Sequence, residues 1–261
     1  MPNLLQFDPG HVLGFFIIFV RILGLMMIAP VLGDGNIPTQ VKVGFAFVMS
    51  LIFYPVLASP TLGVNPEPMQ VVLLVIREMA VGLVMGFTAR LLFTALALAG
   101  EVIGFQMGVG IANIFDPSSE TQVALIGQLH VIFAMLLFVV MDGHHLLVSA
   151  LVESYQLIPI GQANTSPESV KFITAAIGGV FVIGLKIGAP LITALMAANM
   201  SMGLITRAVP QLNVIIVGIP FTIIMGILFL ALVFPFFIRM VMVLNERMIE
   251  MVLTAAKMLG S

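Results

Sequence analysis

The sequence predicts an all-α membrane protein made of long, bent helical hairpins, and three observations carry that expectation. Hydrophobic residues make up 61% of the 261 residues and charged residues only 8%, with a mean hydropathy of +1.20. A soluble globular domain is apolar in roughly half of its residues. Several apolar runs reach or exceed the roughly 17 to 25 residues that a helix needs to cross a bilayer. Prolines and glycines inside the longest runs point to bent or broken helices whose freed backbone groups are satisfied by protein neighbours.

Taken in order, the apolar runs are Val12 to Leu32, Val43 to Ala58, Val71 to Ala99, Val123 to Val152, Val170 to Ala198 and Leu212 to Leu244. The second is marginal in length. The last two hold Pro190, Pro220 and Pro235 and are expected to bend there. GDGNIP (33 to 38), SPTLGVNPEP (59 to 68), FQMGVGIANIFDPSSETQ (105 to 122) and PIGQANTSPES (159 to 169) punctuate the runs with turn-forming residues. No internal repeat is visible. Arg21 interrupts the first run and no small-residue cleavage site follows, so that segment is expected to remain in the mature protein.

Charge narrows the function classes. A net charge of -2 without any Lys/Arg cluster argues against nucleic acid and against a polybasic lipid-binding role. The absence of cysteine excludes disulfides and thiolate metal sites. Trp is absent and only Tyr54 and Tyr155 remain, so the usual aromatic belt is almost missing. The topology signal is weak as well. With Arg239, Arg247 and Lys257 placed inside, the 59 to 68 loop should also be inside, yet carries only Glu67. Either protein subunits cover much of the apolar surface, or this is an ordinary bundle with poor anchors.

Charges within the runs need partners, because each costs about 2.5 to 3.5 kcal/mol at a bilayer centre on insertion scales. Arg21, Arg77, Glu78, Arg90, Glu101, Lys186 and Arg239 are in that position. On one continuous helix Arg90 and Glu101 would share a face about 16 Å apart, too far to pair directly. A proton or ion pathway is the functional reading; structural salt bridges and snorkelling ends are the simpler one. Gly82 with Gly86, Gly100 with Gly104 and Gly108, and Gly184 with Gly188 recur every fourth position and predict tight helix contacts.

Enzyme chemistry finds little support. Asp142, His144 and His145 in MDGHHLL could be metal ligands or an acid–base pair. Adjacent helical histidines point about 100° apart, however, and should not share one ion. His11 and His130 stand alone, and neither HExxH nor GxSxG occurs. No metal, cofactor or catalytic residue is expected. Nineteen methionines are core filler or, in a channel for varied cargo, a deformable seal. A secondary transporter would account for broken helices and buried charge, but normally shows paired repeats.

Specific strings go further. GLITRAVPQLNVIIVGIP from residue 203 contains Gly203, Arg207, Pro210, Gln211, Asn213, Gly218 and Pro220. With RILGLMMIAPVLG (21 to 33), EVIGFQMGVGIANIFDPSS (101 to 119) and DGHHLLVSALVESYQLIPIG (142 to 161), it closely resembles the FliR family of flagellar biosynthesis proteins. The resemblance covers essentially the whole chain in order, and the visible departures are conservative apolar swaps.

The resemblance implies a subunit of the flagellar type III secretion export gate, which forms and closes a channel for unfolded flagellar proteins across the bacterial inner membrane. It implies a FliP-like part at 1–170, a FliQ-like hairpin at 171–261, and a place in the flagellar basal body, with much of the assembly raised toward the periplasm. Expected partners are FliP, FliQ, FlhB, FlhA, unfolded export substrates and membrane lipid, but no nucleic acid. A virulence injectisome subunit is the homologous alternative. The segment after the third apolar run is expected to be a pore plug. Phe105, Met107, Val109, Ile111, Ile114 and Phe115 would supply the apolar constriction, and Gly108 and Gly110 the bends. Asp116, Pro117 and Ser118 read as a turn or helix start before Thr121. Arg207, Pro210, Gln211 and Asn213 are expected at subunit interfaces, where a planar guanidinium and buried amides need fixed partners.

Overall fold

The computed structural model describes residues 9–57, 67–109, 125–164, 166–209, 211 and 214–260. Among these the chain is built from helices: α1 (Pro9–Ile28), α2 (Thr39–Leu57), α3 (Pro68–Gln106), α4 (Leu125–Val140), α5 (Gly143–Leu157), α6 (Pro167–Ala208) and α7 (Val214–Leu259). Five of them are long and apolar enough to cross a membrane, and up to six spans result if α4 and α5 count as one broken span. The expected all-α architecture is present.

The run from Val123 to Val152 is not one helix. It stops at Val140 and restarts at Gly143, because Asp142 adopts left-handed backbone angles (φ 56°, ψ 26°) that an α-helix cannot contain. Pro190, Pro220 and Pro235, in contrast, do not end their helices. α6 runs on through Pro190 and α7 through the other two, at the cost of the ladder bonds a proline cannot donate. Turn chemistry elsewhere follows the sequence. In GDGNIP, Asp34 Oδ1 accepts from the backbone N–H and the side-chain amide of Asn36, both at 2.9 Å. α6 opens on a reciprocal cap: Ser169 N–H donates to Ser166 Oγ at 3.2 Å, and Ser166 N–H donates to Ser169 Oγ at 3.0 Å. Pro167 takes the first helical position, and Glu168 in the first turn favours the helix dipole.

The chain divides into two compact units, each assembled from separated segments. The first comprises residues 1–91, 142–176 and 247–261. Its core combines Ile17, Ile18, Ile22 and Leu25 of α1 with Val81 and Met85 of α3, Leu147 and Leu151 of α5, and Val252 and Ala256 of α7. Small residues bring α1 and α3 together. A Cβ on Gly82 would collide with the backbone oxygen of Arg21, and one on Gly86 would stand 2.8 Å from that of Leu25. α2 lies against α1 through edge-to-face rings, Phe15 on Phe47 at 5.4 Å and Phe15 on Tyr54 at 6.1 Å.

The second unit comprises residues 92–141 and 177–246. Here the C-terminal part of α3 meets α4 at Gly100, where an added Cβ would approach the Gly127 Cα to 2.5 Å. It meets α6 at Gly184, where the Ala95 oxygen would be 2.9 Å away. Rings tie α4 to α7, with His130 edge-on to Phe237 at 4.9 Å and Phe133 to Phe234 at 5.0 Å. Both units draw chain from either side of residue 170.

Candidate functional site

α3 ends at Gln106, and the last carbonyls of any helix lack partners within it. Here side chains from other helices supply them. Asn199 Nδ2 of α6 donates to Gln106 O at 3.4 Å, and Thr222 Oγ1 of α7 lies 2.9 Å from Met107 O. The threonine hydroxyl is also 3.0 Å from Ile219 O, so its single proton is shared between the two carbonyls. Met107 N–H still donates to Ile103 O at 2.9 Å. Gly108 then turns the chain out of the helix with φ 79°, a left-handed conformation that costs glycine little.

The Met107 side chain is 1% exposed and packs in a core of Ile103, Ile126, Leu191 and Leu195, with Val109 against the same cluster. Its Cγ, Cε and Sδ occupy the space that a side chain at position 226 would need: a Cβ on Gly226 would stand 2.5 to 2.7 Å from them. Phe105, two residues earlier, is 76% exposed. Of the expected plug residues, Phe105, Met107, Gly108 and Val109 are therefore placed, while Gly110, Ile111, Ile114 and Phe115 lie outside the described residues, as does the turn at Asp116 to Ser118. Met107 is enclosed by its own unit, whereas Phe105 faces outward.

The intramembrane charges divide clearly. Arg21 and Glu78 are both fully buried and pair, with Nε 2.6 Å from Glu78 Oε2. The rest of the guanidinium donates to Ser154 Oγ at 3.2 Å and Ile158 O at 3.1 Å, and its carbon sits 4.0 Å from the Tyr155 ring centre. Gly161 N–H donates to Glu78 Oε1 at 2.8 Å, and Arg77 Nη1 donates to Gly161 O at 3.2 Å. Every polar atom of the carboxylate is thus used, which makes this a structural network joining α1, α3 and the α5–α6 connection. Arg90, Glu101 and Lys186 are exposed, the first two on the one continuous helix α3.

Asp142, His144 and His145 are closer than helical spacing predicts. One donor atom from each lies within 4.8 Å of the others, and the imidazole centres are 4.2 Å apart. Both histidines lie in the first turn of α5, so it is their side-chain conformations, together with the left-handed Asp142 just before Gly143, that bring the three groups together. Rotation of the side chains could draw the three onto a divalent ion, since ligands at about 2.1 Å from tetrahedral zinc lie roughly 3.4 Å apart. As they stand, Asp142 Oδ1 is already hydrogen-bonded to His145 Nδ1 at 3.2 Å, and both side chains are more than two-thirds exposed, at 71% and 74%. That contact accounts for the placement of Asp142 and His145, while His144 Nδ1 is buried without a hydrogen-bond partner among the described residues.

Arg207, in the last turn of α6, and Gln211 are exposed; Pro210 and Asn213 lie outside the described residues. Asn199, Thr222, Gly226 and Ser154 were not singled out from the sequence. Their signal was modest: an amide or hydroxyl set in an apolar run, and one glycine without a partner at the fourth position.

Comparison with known proteins places the chain. The family model for bacterial export proteins, family 1, matches residues 12–248. The flagellar biosynthetic protein FliR of Escherichia coli K12 is 33% identical over 219 residues, 83% of this chain and 82% of its own length. That of Pectobacterium carotovorum is 35% identical over 224 residues, covering 85% and 84%. The Bacillus subtilis FliR is 35% identical over 210 residues, covering 79% and 80%. Near-complete coverage at this identity leaves one assignment: the chain belongs to the FliR family of bacterial flagellar export proteins.

Proposed function

We propose that this chain is a gate subunit of the flagellar type III export apparatus and that residues 105–115 close its channel between substrates. Membership of the family supports a membrane-embedded component of flagellar export with a structural or transport role. The finer reading places it in the inner membrane at the flagellar basal body, with FliP and FliQ as neighbours in a hetero-oligomeric gate and FlhB and FlhA at the cytoplasmic side. Its cargo is unfolded flagellar protein. The part before residue 170 takes the place of a FliP-like subunit and the part after it that of a FliQ-like hairpin.

The observation that carries the closing role is the end of α3. A buried Met107 and a left-handed Gly108 launch a connector of apolar and small residues from a fixed point between two long apolar helices. Such a segment can block water and ions by dewetting a constriction, and it has no Lys or Arg to obstruct a passing chain. The test removes the connector and keeps its anchor. Deletion of residues 110–115, or Ile114→Ser with Phe115→Ser, in the purified gate reconstituted into vesicles should raise ion leakage while subunit composition stays unchanged. Unchanged leakage from a fully assembled gate would remove the closing role.

A further inference from the structure

We infer that Asn199, Thr222 and Gly226 are positioning residues for this connector: they form a latch on α6 and α7 that holds Met107 in place, so that movement begins at Gly108. The inference rests on the proposed closing role of the connector. Its physical basis is the convergence of three separate contacts on two residues of one helix end. Thr222 Oγ1 reaches Met107 O at 2.9 Å and Asn199 Nδ2 reaches Gln106 O at 3.4 Å, so two helix-end carbonyls with no other donor among the described residues are bound from two different helices. Gly226 leaves the space that the Met107 side chain fills. A buried carbonyl without a donor is unfavourable, so withdrawing Met107 would expose two such groups and vacate an apolar core site together.

The next residue has the opposite character. Gly108 carries no Cβ and already stands at φ 79°, where several backbone states are open to it. Rigid to Met107 and permissive from Gly108, the chain has its hinge between them. Met107 itself is unbranched and flexible, which lets it fill an irregular slot opposite a bare backbone. The latch thus sets where the connector begins, and substitutions at Thr222 and Gly226 of α7 act on it through Met107.

The chain contains no cysteine, so a single introduced thiol reports on one position. Met107→Cys keeps the backbone carbonyl that Thr222 binds and places a maleimide-reactive probe in the slot. In the purified, reconstituted gate this thiol should label slowly. Adding Thr222→Val removes the donor at nearly constant shape and should speed labelling about fivefold, the opening expected from loss of one net hydrogen bond. Thr222→Ser, which retains the hydroxyl, should restore slow labelling. In the chain with Met107 intact, Thr222→Val and Gly226→Leu should each raise ion leakage, and Thr222→Ser should not.

Labelling that ignores position 222 overturns the latch, whatever the leakage. Faster labelling without added leakage, in a gate that leaks when 110–115 are deleted, overturns the positioning role. If that deletion itself produces no leak, the closing role fails first, and the labelling series identifies the Met107 contacts as packing alone. Co-purification of the partner subunits with the Thr222→Ser variant keeps the comparison valid should Gly226→Leu fail to assemble.

Discussion

Arg21 is enclosed completely, and its guanidinium is used on every side: Glu78 at 2.6 Å, Ser154, the Ile158 carbonyl and the face of Tyr155. The worth of such a pair lies less in net stability than in the penalty for leaving one charge behind. Breaking a buried pair from one side costs about 3 to 5 kcal/mol, because the remaining ion stays desolvated and uncompensated. Arg21→Met should therefore lower the thermal midpoint of the purified protein sharply. Glu78→Gln, which keeps an acceptor for Gly161 N–H, should be milder, and Arg21→Met combined with Glu78→Leu should recover part of the loss. A double variant as unstable as the sum of the singles would show that the two side chains do not act as a pair. Both were conspicuous in the sequence as charges in apolar runs, so the need for partners was legible. Their pairing was not, because 57 positions of chain separate them and periodicity says nothing about which helices become neighbours. The same limit hid Thr222, whose hydroxyl gains meaning only when α3 ends beside it.

At the scale of elements, glycine spacing was the most informative feature. Gly82 and Gly86 on α3 do seat α1, and Gly184 on α6 does approach α3, because a missing Cβ lets backbones come close. The prolines of α6 and α7, where bent or broken helices were expected, lie inside helices that continue through them, although an interior proline costs about 3 kcal/mol or more. The stop inside the fourth run came instead from Asp142, whose left-handed backbone has no strong marker in MDGHHLL. Two alanine substitutions separate close approach from mere helix propensity. Gly82→Ala would drive a methyl group into the Arg21 carbonyl and should destabilise the protein by about 1 to 3 kcal/mol, as overpacking does. Gly178→Ala meets nothing within 4 Å and should stabilise α6 by about 0.5 to 1 kcal/mol. Denaturation of the detergent-solubilised variants reads both signs, and equal shifts would mean that α1 can yield at the Gly82 contact.

Across the whole molecule, many large apolar side chains among the described residues are exposed. α2 exposes Phe45, Phe47, Val48, Leu51 and Ile52, and α7 exposes Ile216, Ile224, Ile227, Leu228 and Leu232. Lipid can cover such faces, and so can neighbouring subunits; the near absence of interfacial aromatics favours neighbours for a share of them. The proposed assembly makes Arg207 the sharpest test. It stands exposed in the last turn of α6, where any cation complements the helix dipole, by about 0.3 to 1 kcal/mol. An interface partner asks for more than charge, because a guanidinium offers a planar fork of donors that an ammonium cannot reproduce. If Arg207 serves only its own helix, Arg207→Lys and wild type should co-purify with FliP equally, and Arg207→Ala should lose little. If it binds a carboxylate or carbonyl pair on a neighbour, Arg207→Ala should cost about 2 to 5 kcal/mol of association and lose FliP from the purified complex. Arg207→Lys should then fall between the two, with the complex dissociating at lower salt than wild type. Full recovery of FliP with the alanine variant would take Arg207 out of the interface and leave it as a helix-capping cation.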